Sequence, residues 1–570
     1  MKRFLCLLLA MVMAAGMLAG CGGGDSSGSG GGSSSNSGGN SSSNNSDTPS
    51  GPVDPLAPMD EPVTLTSFFE IPGPIQPEFS QEALEAMVYT QRQREATNVT
   101  IDYLWYAADS PDDSDQKKNT AIATGDIPDF MVVDSAQLAL LAKTDLINKD
   151  IDTLFNTYAS DLLKEWVTAE GTAAMDSATF NGKVVALPLV QSSLDGAPFL
   201  WIRQDWLDKL NLSVPTTMEE LYDVMVAFRD NDPDGNGKKD TVGMVMHKSF
   251  LSNGTGDAVG LFDGFNAYPG YWVDDSNGGL MYGSVAPEAK DALAFLAKLY
   301  AEGLIQEDFS TMDDMKAMEL IASSTAGIQF GANWNSVWPL DMARGNVPEA
   351  RWTGAPIVGA NGLTAHPQIA LNLLGYLVIN SECEHPEAVI KLLNFWVEIQ
   401  GNSTLEEFES YQYLNPEGLM MTPQHWTMLK CFSPTQNLDD YYTIRKVLEV
   451  NDESLLTPTA SQYYPDVKGY LDGDESKAGP YAMMGVENSA FAAMAEYYEN
   501  DMFVFDQFTG SQTKSMGSKM SIVNDKVYEY YTKVIMGVSS LDDWDSFVQE
   551  VNTLGLADIT AEVNEWYAEK

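Results

Sequence analysis

The chain has 570 residues, enough for two or more lobes with sizeable hydrophobic cores. It carries 81 acidic residues against 32 basic ones, a formal net charge of −49. Nucleic acid is therefore a poor candidate partner, because no basic patch is available to neutralise phosphates. The 12 Trp, 24 Tyr and 23 Phe argue against a chain that is disordered throughout.

The N-terminus has the pattern of a secretion signal. Lys2 and Arg3 supply the positive charge, and Phe4 to Met17 is apolar but too short to span a membrane. The segment ends in Leu18-Ala19-Gly20-Cys21, which resembles a bacterial lipobox. That resemblance implies cleavage before Cys21 and acylation of its thiol. The alternative is an ordinary signal peptide that happens to end at a cysteine.

Residues 21–60 follow the signal of residues 1–20 as a tether. Gly22 to Ser50 is almost entirely Gly, Ser and Asn, so it cannot bury a core and is predicted to be flexible. Such a tether would hold a folded domain roughly 30–40 Å from the membrane. It resembles the tethers of Gram-positive surface lipoproteins, and we expect a protein on the outer face of the cell membrane.

The folded part begins near Pro62 with a strand, helix, strand, helix, strand pattern, which is typical of a parallel α/β sheet. The predicted elements are the strand Val63–Phe69, the helix Gln81–Thr97, the strand Val99–Trp105, the helix Asp115–Thr124 ended by Gly125, and the strand Phe130–Val133. Further on, Asn181-Gly182 predicts a hairpin turn.

The stretch Ala186 to Thr241 holds the next strand and helices. The run Pro198–Arg203 is predicted to be a strand, in which Trp201 belongs to the core and Arg203 forms a structural ion pair. Thr217 is the expected N-cap of a helix with acidic residues in its first turn. The apolar positions of that helix recur at helical spacing: Leu221, Val224, Met225 and Phe228.

A possible calcium loop follows that helix directly. Oxygen ligands recur at alternate positions, with a turn at Gly237: the side chains of Asp232, Asp234, Asn236 and Asp240 and the backbone carbonyl of Lys238. Neither Gly243, at the twelfth loop position, nor Thr241 is acidic. The alternative is a solvated Asp-Gly/Asn-Gly turn, whereas a phosphate loop is disfavoured because Lys239 stands where Ser or Thr is needed.

Seven segments in order resemble family 1 extracellular solute-binding proteins of ABC importers, in particular the LipO-like lipoprotein subgroup. They are 123–129 (ATGDIPD), 181–188 (NGKVVALP), 200–207 (LWIRQDWL), 282–288 (YGSVAPE), 296–304, 515–520 (SMGSKM) and 537–566. Each motif alone is weak evidence, but seven motifs in this order are specific. Together they cover nearly everything after Pro62. The resemblance implies a monomeric binding protein, with a carbohydrate ligand and permease subunits as partners.

The resemblance also implies a fold of two α/β lobes of the type II periplasmic-binding-protein kind, joined by hinges around a cleft. Lobe one is expected over 61–190 and 370–435, and lobe two over 191–369 and 436–570. A strand over Leu371–Asn380 and a helix over Glu387–Ile399 would return the chain to lobe one. The loop from Asp232 matches the calcium loop of alginate-binding relatives, from which Thr241 departs, since those relatives often carry Glu there.

Ligand-contacting residues are predicted from sugar chemistry and from that likeness. Trp334 and Trp338 are four residues apart, hence on one face if helical, and Trp334 is predicted to stack on a sugar ring. Trp272 could line the cleft or cover a sheet. Further candidates near the cleft are Trp105, Asp126, Asp129, Gln191 and Asp195.

Evidence for enzyme chemistry is thin, and we expect a non-enzyme. No HExxH, GxGxxG or GxSxG motif with credible context occurs, and four His are scattered without metal spacing. A surface polysaccharide-degrading enzyme and an adhesion module remain as alternatives. Cys383 and Cys431 could pair or stay free, because spacing alone does not decide connectivity.

Overall fold

The computed structural model describes residues 53–252, 254–416 and 418–570. Cys21, the signal segment and most of the tether lie outside the described residues. Within the described ranges, no helix has the length and apolarity needed to cross a bilayer.

The first part of the described chain alternates strands and helices, as predicted. Its strands are β1 (Val63–Ile71), β2 (Val99–Ala108), β3 (Phe130–Val133), β4 (Thr179–Phe180), β5 (Lys183–Val184) and β6 (Leu187–Val190). Its helices are α1 (Gln81–Ala86), α2 (Val88–Thr97), α3 (Gln116–Thr124), α4 (Ser135–Leu141), α5 (Ile151–Tyr158), α6 (Asp161–Thr168) and α7 (Ala173–Ser177). The single helix predicted over 81–97 is wrong at Met87, whose ψ of 135° breaks it in two.

The middle of the chain continues with shorter strands. They are β7 (Phe199–Arg203), β8 (Thr255–Asp257), β9 (Trp272–Asp274), β10 (Leu280–Tyr282), β11 (Ile328–Gly331), β12 (Trp352–Ala355) and β13 (Gln368–Ile369). The helices here are α8 (Gln204–Leu210), α9 (Met218–Asp230), α10 (Val259–Asp263), α11 (Ala289–Ala301), α12 (Asp314–Ala322) and α13 (Met342–Asn346).

The last part of the chain is mostly helical. Its strands are β14 (Leu373–Ile379), β15 (Tyr413–Leu414), β16 (Met420–Met421) and β17 (Val504–Phe505). Its helices are α14 (Pro386–Asn402), α15 (Leu405–Glu409), α16 (Gln436–Val450), α17 (Tyr464–Leu471), α18 (Ala478–Met484), α19 (Ala490–Glu499), α20 (Lys514–Ile535), α21 (Trp544–Val551) and α22 (Ala557–Glu569).

Local signals in the sequence account for several element ends. The Thr217 hydroxyl accepts a hydrogen bond from the Glu220 amide at 3.2 Å, so it caps α9 as predicted. Gly125 ends α3 with a φ of 77°, a left-handed conformation that glycine adopts without strain. Asn181 and Gly182 also have positive φ and join β4 to β5 in the predicted hairpin.

The strands β1, β2, β3 and β6, together with β14 from later in the chain, form two groups. β1 and β2 are parallel, and β14 lies between β3 and β6, antiparallel to both. Thr66 bonds to Asp129 and Ser67 bonds to Phe130, so β1 and β3 advance in the same direction. The carboxyl ends of β1, β2 and β3 therefore share one edge, the edge where open α/β sheets bind ligands.

A second sheet has the strand order β12-β7-β11-β8, with all neighbours antiparallel. Every residue of β7 is buried, because the strand is central and covered on both faces. Trp201 is 0% exposed and Arg203 is 1% exposed. The Arg203 guanidinium forms an ion pair with Asp205 at 2.7 Å, so the core position of Trp201 and the structural role of Arg203 match the predictions.

The buried apolar residues fall into two large clusters. One cluster comprises residues from Val63–Val190 and Tyr376–Cys431, and the other comprises residues from Leu194–Ile369 and Leu438–Val563. The structure therefore has two lobes, here called lobe one and lobe two in that order, and the chain crosses between them three times. Cys383 and Cys431 are both free thiols, which decides between the two alternatives.

Candidate ligand cleft and metal loop

The first two crossings between the lobes are tied together by amide side chains. The Gln191 amide nitrogen donates to the Asn372 side-chain oxygen at 2.8 Å. The Asn372 amide nitrogen in turn donates to the Ser192 carbonyl at 3.0 Å. Gln191, a predicted ligand residue, thus lies at the first crossing, and its amide nitrogen already donates to Asn372.

Asp195 connects the first crossing with two distant segments. Its Oδ1 accepts from Asn333 Nδ2 at 3.3 Å, and its Oδ2 accepts from Asn437 Nδ2 at 2.7 Å. Burial raises the pKa of this carboxyl to about 6. Asn437 follows the third crossing and also accepts from the Tyr463 hydroxyl at 3.3 Å. Asp195 therefore holds the loop after β11 against the start of α16.

Trp334 and Trp338 present aromatic faces next to this network. Asn333 opens a single 3-10 turn over Asn333–Ser336, and the Trp338 amide donates to the Trp334 carbonyl at 3.3 Å. The two rings stack with centroids 6.1 Å apart and planes at 22°, on one face as predicted. Trp334 is 41% exposed and Trp338 is 45% exposed, so this pair has flat apolar surface available to a ligand.

Trp105 lies near the carboxyl end of β2 in lobe one. Its ring stacks on Phe68 with centroids 4.3 Å apart, and Lys117 Nζ lies 5.3 Å from the ring centroid. The side chain remains partly exposed. The structure therefore puts Trp105 near the carboxyl end of β2, with part of its surface already covered.

Charged residues that the sequence analysis missed surround this edge. Lys118 Nζ contacts Glu70 Oε1 at 2.6 Å and Asp115 Oδ1 at 3.0 Å. Burial raises the pKa of Glu70 despite the nearby ammonium. In the sequence, Glu70 ends an apolar strand and Lys118 has a helical position that usually faces solvent. Only two features of the sequence could have indicated this contact: a carboxylate at the end of a strand and a lysine on a partly apolar helix face. Both features are common in proteins.

Asp126 and Asp129 lie elsewhere, and the expectation that both border the cleft is corrected here. They precede β3, so they are at the amino edge of the strands, opposite the edge that carries Trp105. Asp129 Oδ2 accepts from the Thr66 amide and from its hydroxyl, both at 2.7 Å. This carboxylate fixes β1 beside β3, while Asp126 is an exposed loop residue.

Trp272 covers a sheet and does not line a cleft. It is 3% exposed, and its ring packs on Tyr282 with centroids 5.4 Å apart. Its amide donates to Asp506 Oδ1 at 3.0 Å, which anchors β9 to the segment after β17. Of the two alternatives for Trp272, the structure shows the one in which the residue covers a sheet. The buried indole packs in the β9–β10 hairpin of lobe two.

The loop predicted to bind calcium gathers its oxygen side chains around one amide. Asn236 Nδ2 donates to Asp234 Oδ2 at 2.6 Å and to Asp240 Oδ1 at 3.0 Å. Asp232 Oδ2 accepts from the Gly237 amide at 3.0 Å, whereas its Oδ1 is buried without a hydrogen-bond partner. Gly237 has a φ of 77°, as the sharp turn requires.

This donor set fits a hard cation in its chemistry. The Asn236 amide lies between two carboxylates, in the position where a bound cation would offset their mutual repulsion. The buried Oδ1 of Asp232 has no hydrogen-bond donor. As placed here, however, the side chains of the described residues form no group of three or more His, Cys, Asp or Glu that could hold a metal ion.

The end of the loop explains why the acidic residue is missing. Thr241 is buried, and its hydroxyl donates to the Phe228 carbonyl at 2.8 Å, so it faces α9 and not the loop. A Cβ at Gly243 would lie 2.8 Å from the Met225 Cβ and 3.1 Å from the Leu304 carbonyl oxygen. No side chain fits at that twelfth position, and any cation would be held by Asp232 to Asp240 alone.

Comparison with known families decides the class of the protein. The family described as bacterial extracellular solute-binding protein matches residues 77–402, more than half of the chain. The chain belongs to this family. The two lobes and the three crossings are therefore those of a solute-binding protein, and the polar network around Asp195 lies beside the crossings.

Three named proteins resemble this solute-binding protein over part of their length. The chain is 32% identical over 223 residues to lipoprotein LipO of Bacillus subtilis, which is 38% of this chain and 42% of that protein. It is 27% identical over 245 residues to the polygalacturonan/rhamnogalacturonan-binding protein YtcQ of B. subtilis, 41% and 44% of the two chains. It is 29% identical over 264 residues to the fructooligosaccharide ABC transporter substrate-binding protein FusA of Streptococcus pneumoniae, 44% and 46% of the two. The matched region thus spans less than half of each relative.

Solved structures show the same fold over most of the chain. The S. pneumoniae FusA structure in complex with kestose superimposes with a TM-score of 0.56 at 18% identity, over 89% of this chain and 99% of that one. The alginate-binding protein AlgQ2, in a structure without calcium ion, gives a TM-score of 0.55 at 16% identity, over 90% and 99%. At these identities the likeness supports the fold of this solute-binding protein and nothing finer.

Proposed function

We propose that this solute-binding protein captures an oligosaccharide outside the cell and delivers it to an ABC importer. The observation that carries the proposal is the exposed, stacked Trp334–Trp338 pair beside the hinge network of Asp195. Aromatic faces suit the apolar C–H side of pyranose rings, and ligand sites are commonly lined by aromatic side chains with a few polar groups beside them. The names of the relatives YtcQ and FusA, both carbohydrate-binding proteins, support the same ligand class.

The mechanism that we propose is closure of the two lobes around the ligand. The boundaries that we propose are 61–190 and 370–435 for lobe one and 191–369 and 436–570 for lobe two, and the two clusters of buried apolar residues support them. Trp105 would meet the sugar from lobe one and Trp334 from lobe two. A sugar that contacts both lobes binds the closed form better than the open one and shifts the population toward it. The closed receptor, a monomer, is then the form that permease subunits recognise.

Incubation of the purified protein with a panel of neutral and acidic oligosaccharides tests this function. Saturable binding of one sugar per protein, measured by calorimetry, with the sugar recovered intact, is the expected result. The appearance of cleavage products would contradict the receptor function and support the alternative, a surface polysaccharide-degrading enzyme. Binding only to intact surfaces or polymers, without affinity for any short sugar, would favour an adhesion module.

We further propose a lipid anchor on Cys21, which makes the protein a lipoprotein on the outer face of the cell membrane. Cys21→Ala should move the protein from the membrane fraction to the medium, because the acyl chain on Cys21 is the attachment that we propose. The measurement is immunoblotting of the two fractions after expression in a Gram-positive host. Cys6→Ala, in the removed signal, is the matched control and should leave the distribution unchanged. Retention of Cys21→Ala in the membrane would contradict the anchor.

Calcium in the loop is a third proposal. Asp232, Asp234, Asn236 and Asp240 side chains and the Lys238 carbonyl would hold the ion, as the loop likeness implies. A bound ion would join the end of α9 to the segment that follows the loop, and we expect it to serve stability and not ligand contact. Two similar structures, alginate-binding protein AlgQ2 without calcium ion and an EF-hand mutant of S. pneumoniae FusA, indicate such a loop in those proteins and support the ion here.

Chelation with EGTA should therefore lower the melting temperature, because an ion bound only by the folded protein stabilises it by mass action. At a free calcium concentration of about 100 times the dissociation constant, that stabilisation is about 2.7 kcal/mol. Asp234→Ala should melt at the chelated temperature with or without calcium. Asp230→Ala, an exposed neighbour paired with Arg229, is the control that keeps the calcium response. Identical melting curves with calcium and with EGTA would remove the site.

A further inference from the structure

A cavity of about 460 Å³ lies between the two lobes, beside the places where the chain crosses from one lobe to the other. It is here called the crossing cavity. Its wall comes from lobe one, from lobe two and from all three crossings, and includes Glu170, Tyr498, Lys570, Leu194, Leu371 and Pro434. Because this space is not filled by side chains, close packing does not fix the two lobes against each other here.

One ion pair joins the two lobes at this cavity. Lys570 Nζ, after α22 in lobe two, lies 3.4 Å from Asp176 Oδ2 on α7 in lobe one. Each partner is also held by its own lobe: the Thr172 hydroxyl donates to Asp176 Oδ2 at 2.8 Å, and Lys570 Nζ donates to the Thr509 hydroxyl at 3.3 Å. Every other ion pair within the described ranges has both partners in a single lobe.

The first crossing separates the crossing cavity from the tryptophan pair. Leu194 and Asp195 are neighbours in a single 3-10 turn, in which successive side chains point about 120° apart. Leu194 lines the crossing cavity. Asp195 instead bonds to Asn333, the residue before Trp334. The cavity and the aromatic faces therefore lie on different sides of this turn.

The third crossing shows the same division. Pro434 lines the crossing cavity, whereas Asn437, three residues later, donates to Asp195 on the side of the tryptophan pair. A rotation about the crossings that brings the lobes together over the tryptophan pair therefore moves them apart at the crossing cavity.

Closure of the cleft on a sugar must then separate Asp176 from Lys570. Their side chains are 29% and 42% exposed, so the pair contributes little to the stability of the fold. It does, however, stabilise one arrangement of the lobes and not the other. A contact that is made only in the open arrangement reduces the fraction of protein that is competent to bind, and the apparent affinity falls by the same factor.

From this arrangement we propose that the Asp176–Lys570 ion pair is a regulatory contact, which favours the open cleft and holds the sugar affinity below the value that the cleft alone would give. The inference rests on the proposed function, because the sugar is what closes the lobes. Salt screens an exposed ion pair. The affinity for an uncharged sugar, which has no charge of its own to screen, therefore depends on ionic strength through this contact.

The panel of neutral and acidic oligosaccharides, titrated by calorimetry into each variant, tests the regulation. Asp176→Asn and Lys570→Met should each tighten binding about two- to fivefold, the scale of one exposed ion pair, and the double variant should gain no more than either single one. About 1 M NaCl should tighten binding of a neutral sugar to the unchanged protein by a similar factor, and should leave Asp176→Asn unaffected. Lys526→Met is the control, because it breaks a 2.9 Å pair with Glu550 inside lobe two and should leave the affinity unchanged.

The outcomes separate this inference from the function on which it rests. If the unchanged protein binds a sugar and both variants bind it equally or more weakly, the ion pair does not favour the open cleft, while the receptor function stands. If the unchanged protein binds no sugar of the panel, the proposed function falls and the regulation falls with it.

A cross-link tests the lobe contact before any sugar is added. Asp176→Cys together with Lys570→Cys places two thiols at the crossing cavity, in a background of Cys21→Ala and Cys383→Ser. Cys431 is 0% exposed and can stay. A short bismaleimide should join the two thiols, as mass spectrometry would show, and the joined protein should lose at least about tenfold in sugar affinity because the lobes can no longer separate there. Failure to form the cross-link, or unchanged affinity after it forms, would overturn the inference.

Discussion

Trp334→Ala should lose at least about tenfold in sugar affinity, roughly 1.4 kcal/mol, while its melting temperature stays near that of the unchanged protein. The indole is 41% exposed, so its removal opens no cavity in the core. What is lost is the aromatic surface that a sugar ring would cover, and aromatic anchors dominate the energetics of small binding sites. Calorimetry with the sugar found by the panel, together with thermal unfolding, measures both quantities.

Trp201→Ala is the matched control, because it removes the same side chain from the core. Trp201 is 0% exposed, and its Nε1 donates to the Ala332 carbonyl at 3.0 Å, immediately before the segment that carries Trp334. Its truncation should reduce the free energy of unfolding by about 3–5 kcal/mol. The free energy of unfolding of Trp338→Ala should be closer to that of Trp334→Ala than to that of Trp201→Ala. If Trp334→Ala unfolds like Trp201→Ala, or binds the sugar unchanged, the cleft must lie elsewhere.

Asp205→Ala should be among the most destabilising single changes in lobe two, by about 3–5 kcal/mol. Arg203 is 1% exposed, and its guanidinium donates to both Asp205 oxygens, at 2.8 Å from Nε and 2.7 Å from Nη2. Without Asp205, the remaining contacts are a bond to Ser324 at 3.0 Å and two indole faces, which do not neutralise a buried charge. Urea unfolding at neutral pH measures the change.

A double variant separates the buried charge from lost packing. Arg203→Met with Asp205→Ala removes the charge together with its partner and should recover part of the stability that Asp205→Ala alone loses. Asp208→Ala breaks the exposed pair with Arg351 at 2.8 Å, and it should change the free energy of unfolding by less than about 1 kcal/mol. Equal effects of Asp205→Ala and Asp208→Ala would mean that burial of Arg203 is not what makes its partner necessary.

The sequence predicted the parts of this fold that depend on neighbours along the chain. Periodicity located β1, β2 and β3, and turn chemistry located the end of α3 at Gly125 and the hairpin at Asn181. These features arise from backbone conformations that local side chains determine. The break at Met87 was missed because no Gly or Pro marks it, and helix-forming residues continue on both sides.

Roles that depend on distant residues could not be predicted in the same way. Asp195 meets Asn333 and Asn437, and nothing in either segment's own pattern indicates that contact. Trp272 and Trp334 both lie in aromatic, glycine-containing stretches, yet one is 3% exposed and the other 41%. The difference comes from Asp506 and Tyr282 closing over Trp272, which is a tertiary event. The predicted position of Asp129 was wrong because the resemblance placed its loop close to the sheet but did not specify at which edge of the sheet the loop lies.

The position of β14 has a consequence for the order in which the chain can fold. This strand fills the gap between β3 and β6, which are both synthesised long before it. Until Leu373–Ile379 emerges, residues 53–190 have unpaired edges on β3 and β6 and an incomplete core, a state that is prone to edge-to-edge association. Lobe one must therefore be completed late, after most of lobe two exists. Fragments that stop before β14 are expected to be insoluble, and a soluble lobe-one fragment would have to join its two chain segments directly.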